Sequence, residues 1–562
     1  MTHLITSALP YVNNVPHLGN IIGSVLSADV YARFLRSKNK DVFYLCGTDC
    51  YGTTSEVIAK KENMTCREVC EKYHKLHKEV YDWFNIKFDA FGTTMTETQT
   101  EVTHDIFTLL YENNHIEIKE IHQRFCEKCN MFLADRYLKG KCYICNEIAN
   151  GDQCDSCGNL LDALLFEDCW CINCETKPTI KSTKHLYLKL ADFEQELKEH
   201  FIEQKKVHLT DNAFSITKSF LDQGLISRCI TRDLKWGTPV PNLKGLEEFQ
   251  DKVFYVWFDA PIGYLSILKH AYKNTENPDE WKKWLGSNIT QFMAKDNVPF
   301  HTVIFPATLM GSNLKYPLLT ALSATEYLDY QGQKFSKSNN TGIFGDNVMK
   351  ISAKLGIDAD YWRFYLIRIR PEMKDSSFNW LEFVTMIKTE LSYKIGNLIN
   401  RCMTLSMTNV LNNSVKLSYD TNFDPDLNNK IDELIVAYDL CFERFKFRDA
   451  LNLVITCAEY GNQFMQKNEP WKLIKLDDKT NFNQVMGYTA YIVSIMIKLM
   501  APFMPHKAEK LSANIVMLDN NSVIISSLGY EIPFKIIDVP EEYIEHNEHK
   551  NKDIKIKKQN LN

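Results

Sequence analysis

Eight of the seventeen cysteines form four Cys-x-x-Cys pairs: Cys126/Cys129, Cys142/Cys145, Cys154/Cys157 and Cys171/Cys174. A pair at this spacing presents two thiolates from one tight turn, and two pairs complete the tetrahedral sulfur shell that zinc prefers, so the eight account for two ions. Sequence alone does not give the pairing, though the short gap between the second and third pairs favours Cys142, Cys145, Cys154 and Cys157 closing first. Cys169, beside the last pair, is an alternative ligand. Two further stretches suggest phosphate chemistry. In "HLGN", His17 to Asn20, an imidazole and a glycine stand before a helical pattern, where free N–H groups and the helix dipole favour an anion. In "KFSKS", Lys334 and Lys337 bring two ammonium groups to a Ser/Gly-rich loop. The chain carries no "GxSxG" elbow and no Walker "GxxxxGK[ST]" loop.

These residues need a frame. "THLITSALPYV" reads as a buried strand and "GNIIGSVLSADVYARFLRSKN" as an amphipathic helix, with Ile22, Val25, Leu26, Val30 and Phe34 spaced for one face. "DVFYLCGTD" followed by "YGTTSEVIAKKENM" repeats the unit, and such alternation implies a doubly wound parallel sheet of α/β, Rossmann-like type. Ligands of such sheets bind outside the carboxyl ends of the strands, where "HLGN" falls. From Phe125 to Cys174 the periodicity gives way to Cys pairs and turn residues, so an insertion splits the sheet. "KVFYVWFDAP" and "FHTVIFPATLM" restore the α/β pattern. Beyond about Asn379 the pattern is long helical runs with no clear strand until "NSVIISS", then a lysine-bearing tail, Lys550 to Lys558.

Composition narrows the classes. The chain has 562 residues, 45% hydrophobic and 24% charged, and no apolar run approaches the ~18–20 residues of a membrane span. With a net charge of −6, contacts with nucleic acid have to come from local basic patches. The first strand begins almost at Met1, so no leader segment is expected and cytosolic residence is. In a reducing cytosol the cysteines read as metal ligands rather than disulfides.

"ALPYVNNVPHLGN", "CGTDCYGT", "VWFDAPIGY", "FMAKDNVPFH" and "KFSKS", in this order, resemble the class I aminoacyl-tRNA synthetases and, within them, the methionyl enzymes of eukaryotic and archaeal style. The resemblance covers residues 4 to about 475. It implies activation of L-methionine with ATP and Mg2+, then transfer to tRNA(Met). It assigns phosphate-side roles to His17, Gly19, Asn20, Lys295, Asp296, Lys334 and Lys337, of which His17, Asn20, Lys334 and Lys337 would be catalytic. Displacement at the α-phosphorus needs positioning and charge stabilisation rather than a protein nucleophile. Asn20 stands where many relatives have a second His, and Ala294 where the family commonly has Gly. The methionine side chain would meet Ala8, Leu9, Tyr11, Trp257, Ala260, Pro261, Tyr264, Asn297 and His301, with Asp49 taking the ammonium; aromatic walls suit a polarizable thioether. The family's two-zinc insertions imply that the outer four cysteines close around the inner four.

The implied organisation is a catalytic domain in two halves (1–115 and 249–325), a connective insertion with zinc knuckles (116–248), a KFSKS and stem-contact region (326–386) and a helical anticodon-binding domain with a basic tail (387–562). Asn397, Arg401 and Trp471 would read the anticodon, since single-stranded RNA is recognised by splaying bases onto flat side chains. Trp471, after Pro470, either faces outward for that stack or packs within the bundle. A monomer without DNA or membrane partners is expected. Two alternatives remain open. One is a class I synthetase for isoleucine, valine or leucine, though those usually carry a large editing domain that the mostly knuckle-and-linker insertion here does not resemble. The other is a catalytically silent zinc-containing RNA-binding relative, against which intact His17, Lys334 and Lys337 argue.

Overall fold

The computed structural model describes residues 2–540 except 134–136, 152–153, 155–160, 205, 315, 336–340, 409 and 519. The chain forms two compact units. The first contains residues 1–16, 39–79 and 87–324; the second contains residues 17–38, 80–86 and 325–562.

A six-stranded sheet organises the first unit, in the order His208–Leu209, Ala321–Thr325, Asn288–Ala294, Thr2–Ser7, Asp41–Thr48, Ala90–Thr93. Thr2–Ser7 pairs in parallel with Asn288–Ala294 on one side (Leu4↔Ile289) and with Asp41–Thr48 on the other (Leu4↔Phe43). The expected doubly wound parallel sheet is therefore present, with the first strand at its centre. Strand connections leave Thr2–Ser7 in opposite directions, so a crevice opens at its carboxyl end. Leu4 and Leu45 from the strands pack with Ile106, Phe107 and Leu268 from the covering helices, all at most 3% exposed.

The insertion grows from this unit on an antiparallel ribbon, Ile116–Cys126 against Thr179–Leu188, whose register runs from Ile116↔Leu188 to Phe125↔Thr179. Cys126 closes one strand of the ribbon, while Cys171 and Cys174 precede the other, so the ribbon itself delivers the first and fourth Cys pairs to one place.

In the second unit, helices Pro425–Glu443, Phe447–Asn468 and Lys479–Met500 pack around Leu434, Leu451, Val454, Val493 and Met496, each at most 4% exposed. The strand expected at "NSVIISS" is Ser522–Ser526. It has two antiparallel partners, Ile515–Leu518 and Ser414–Ser418, and neither was expected in the helical third. Ser414–Ser418 has a buried Leu417 between exposed Lys416 and Ser418, an alternation too short to stand out among helices. The helix after "HLGN", Leu26–Ser37, also belongs to this unit.

Candidate active site

Three adjacent strands end together, and the residues just beyond their carboxyl ends make the pocket: Ala8 and Leu9 after the first, Asp49 after Asp41–Thr48, and Asn297 after Asn288–Ala294. The helical turn Val256–Asp259 and the helix Gly263–Tyr272 supply the rest. Nine of the ten residues expected to hold methionine, namely Ala8, Leu9, Asp49, Trp257, Ala260, Pro261, Tyr264, Asn297 and His301, line one cavity with an empty volume of about 270 Å3, open at its mouth. The tenth, Tyr11, stands one ring behind and meets Trp257 edge-on, with centroids 5.9 Å apart. Phe300, which the motif reading passed over, lies flat against the Trp257 ring at 3.9 Å. Its place inside "NVPFH", beside residues already assigned, was the only available signal.

The polar hydrogens at the back of the pocket are committed. His301 Nδ1 donates to the Asn297 carbonyl at 2.9 Å, so its Nε2 accepts, and the Tyr264 hydroxyl donates to it at 2.9 Å. Burial pushes the imidazole down to about 4, which keeps it neutral in this arrangement. A thioether, which accepts hydrogen bonds only weakly, loses little against such a wall. Asp49 is fixed through its backbone, its N–H donating to the Pro10 carbonyl at 2.9 Å and its carbonyl accepting from Val12 N–H at 3.2 Å. Its carboxyl is held well above the usual range, first by burial and then by the charge of Asp259. Asp259 is itself 1% exposed and accepts from Thr238 Oγ1 at 2.6 Å, and burial pushes it up to about 7. A cationic ammonium is the natural complement of two buried acids. Asp259 lay within a quoted motif, but nothing local marked it. Ala294 has φ −82° and ψ 159°, a conformation open to any residue, so its methyl strains no backbone. Lys295 follows half-buried and Asp296 exposed.

Of the residues expected on the phosphate side, Lys295 and Asp296 lie in the first unit, and His17, Gly19, Asn20 and Lys334 in the second. Asn20 N–H donates to His17 Nδ1 at 3.3 Å, while His17 N–H donates to Asn20 Oδ1 at 3.1 Å, a reciprocal cap at the start of the helix. Asn20 thus shapes the turn through its oxygen. Desolvation pushes His17 down to about 4, so near neutral pH its ring is uncharged, and with Nδ1 accepting, the proton sits on Nε2. The ring stacks on Phe335 of "KFSKS" at 4.4 Å and meets Phe344 edge-on at 6.2 Å. The two motifs, far apart in sequence, therefore touch. A side chain at Gly19 would stand 3.0 Å from the His17 ring and 3.3 Å from the Leu328 carbonyl, which is why the position is glycine. Lys334 is exposed, and Lys337 lies outside the described residues.

At the insertion, Cys126, Cys129, Cys171 and Cys174 converge, as do Cys142, Cys145 and Cys154; Cys157 lies outside the described residues. The sulfurs of Cys126 and Cys174 are 3.4 Å apart, those of Cys129 and Cys171 3.9 Å, and those of Cys145 and Cys154 3.6 Å. Four thiolates about 2.3 Å from a tetrahedral zinc stand about 3.8 Å from one another, so the outer four fit the ion and the three described inner thiols are spaced as three of its ligands. Among the described residues, the outer four separate from three of the inner four, in line with the grouping that the resemblance implied. Cys169 belongs to neither; it is buried with its thiol toward the Phe166 carbonyl.

In the helical part, the Arg401 guanidinium lies 4.9 Å over the Trp471 ring, and Asn397 Nδ2 donates to Asn462 Oδ1 at 3.1 Å. Trp471 is half-buried in the short helix Pro470–Lys475, between the two positions weighed for it.

Residues 3–403 match the family described as tRNA synthetases class I (M), and residues 418–528 match the anticodon binding domain of methionyl tRNA ligase. The chain is 47% identical over 546 residues to the methionine–tRNA ligase of Acanthamoeba polyphaga mimivirus, covering 95% of each. With the human cytoplasmic methionine–tRNA ligase it shares 44% over 520 residues, 91% of this chain and 56% of that one. The methionyl-tRNA synthetase of Mycobacterium tuberculosis, solved with methionyl-adenylate, has the same fold, with a TM-score of 0.74 at 22% identity over 96% of this chain and 98% of that one. The chain belongs to the methionyl-tRNA synthetases, a branch of class I.

Proposed function

We propose that the chain joins L-methionine to ATP, carried with Mg2+, and passes the methionyl group to tRNA(Met). The observation that carries this reading is the cavity lined by nine of the expected methionine residues, closed at the back by the Tyr264–His301–Asn297 chain. In the first step a methionine carboxylate oxygen attacks the α-phosphorus and pyrophosphate leaves. In the second, a ribose hydroxyl at the tRNA 3′ end attacks the adenylate carbonyl and AMP leaves. Asp49 takes the ammonium. His17, neutral with its proton on Nε2, donates a hydrogen bond to an α-phosphate oxygen as charge builds there. Lys334 and Lys337 offset charge on the departing pyrophosphate, while Gly19, Asn20, Lys295 and Asp296 hold the nucleotide. Two zinc ions, bound by Cys126, Cys129, Cys171 and Cys174 and by Cys142, Cys145, Cys154 and Cys157, would supply structural cross-links. Asn397, Arg401 and Trp471 would meet the anticodon. The limits 1–115, 116–248, 249–325, 326–386 and 387–562 mark the working parts, in a monomer residing in the cytoplasm, as the human relative's name states for that protein. The test is ATP–pyrophosphate exchange with a panel of amino acids. Methionine alone should drive it; exchange driven by isoleucine, valine or leucine, or by none, would overturn the assignment.

A further inference from the structure

The helix behind "HLGN" changes winding. Leu18–Asn20 is α-helical, Ile21–Val25 is a wider π-turn closed by Leu26 N–H onto the Ile21 carbonyl, and Leu26–Ser37 is α-helical again. One added residue in a helix rotates everything before it by about 100° relative to everything after it. The π-turn therefore sets the direction in which the His17–Asn20 cap points.

A chain of hydrogen bonds holds this turn. Ser27 Oγ donates to the Ile22 carbonyl at 2.6 Å, five residues back, where ordinary α winding would not leave that carbonyl open. Ser27 Oγ in turn accepts from Arg370 Nε at 2.9 Å. Arg370 is 1% exposed; its Nη1 donates to the Phe445 carbonyl and to Glu372 Oε1, each at 3.1 Å, and its guanidinium lies over the Phe447 ring. Two residues beyond Ser27, Asp29 Oδ2 accepts at 2.7 Å from the fully buried Arg363, which also donates to the carbonyls of Phe503, Pro502 and Phe84 at 2.8, 2.9 and 3.0 Å. An arginine buried this completely is retained only where its donors are met, and here each one fixes a helix to loop carbonyls.

We propose that Ser27 and Arg370 are positioning residues for adenylate formation: the chain from the Phe445 carbonyl through Arg370 and Ser27 to the Ile22 carbonyl holds the π-turn that aims His17. This rests on the reading of His17 as the phosphate-side donor. Without the Ser27 hydroxyl the turn can slip toward α winding and swing the cap away, while the methionine pocket, built wholly in the first unit, keeps its residues. Exchange kinetics, equilibrium methionine binding and thermal unfolding are to be measured on wild type, Ser27→Ala, Ser27→Thr and Arg370→Lys. Ser27→Ala should lower kcat for exchange at least tenfold with methionine affinity within twofold, and Ser27→Thr, which keeps a hydroxyl, should recover at least half of kcat. Arg370→Lys should lower kcat at least threefold, again without loss of methionine affinity, and serves if Ser27→Ala does not fold. Unchanged kcat in the folded variants, with only a lower melting temperature, would overturn the inference. Wild-type protein inactive with methionine would instead remove the functional reading on which it rests.

Discussion

At the back of the cavity, Tyr264 and His301 each donate a hydrogen bond to a protein acceptor, and these bonds together with packing hold the geometry. At the knuckles, thiols converge to 3.4–3.9 Å, a spacing that thiolates tolerate only around a cation. One region is preorganised by its own side chains, and the other gathers thiols into an arrangement suited to a metal ion. The two should therefore fail under different insults.

The largest expected effect is metal loss. Elemental analysis of protein purified without added metal should find about two zinc ions per chain. Chelation should melt the insertion, since binding energies of structural zinc run to about 10–16 kcal/mol. One ion per chain, with the outer four thiols freely titratable, would break the comparison at the ribbon. Next is His17→Ala, expected to slow exchange about 10²–10³-fold, the usual cost of one transition-state donor, with methionine binding intact. A matching loss of methionine affinity would place His17 in the pocket instead.

Acid should act on the unit that carries the preorganised cavity, through one histidine in the cavity and one outside it. His77, 2% exposed and donating from Nε2 to the Asn14 carbonyl at 2.8 Å, and His301, 3% exposed, are both pushed down to about 4. The unfolded chain takes up their protons near 6.5 and the folded chain only near 4. Each thus contributes about 3 kcal/mol that is fully present above pH 6.5 and lost as the pH falls through 6.5 toward 4. Urea unfolding across that window should show the loss, and His301→Gln should flatten part of it. The smallest effect is expected of Tyr264→Phe. It leaves the buried His301 Nε2 without its donor, a cost of about 1–3 kcal/mol, read as weaker methionine binding or a lower melting temperature with zinc content unchanged.

The same contrast explains what the sequence made legible. The pocket was readable because its residues sit in contiguous motifs at strand ends, and period and punctuation mark those ends. The cysteine sets were readable because ligand spacing is itself a pattern. What escaped notice depends on long-range packing. Asp259 carries its charge beside Asp49, but no short-range pattern shows which carboxylate another will meet. Phe300 looked like any core aromatic until the Trp257 ring was laid on it. The contact of His17 with Phe335 joins residues whose proximity only the fold decides. Ser414–Ser418 gains its strand from a partner more than a hundred residues away.

The antiparallel ribbon has a consequence for how such a chain can change over time. Ile116 and Leu188 are register partners at its base, so the segment leaves and rejoins the catalytic unit at a single point. Whatever lies beyond that point can lengthen, shorten or exchange one set of ligands for another without altering the span the sheet must bridge. Loop-closure entropy, which would otherwise rise with every added residue, is already settled at the base of the ribbon. Variation beyond the base is then limited by the few contacts the knuckles keep with the unit, such as Tyr137 with Glu56 and Asn173 with Lys60, while the strand ends that line the cavity stay under separate constraint.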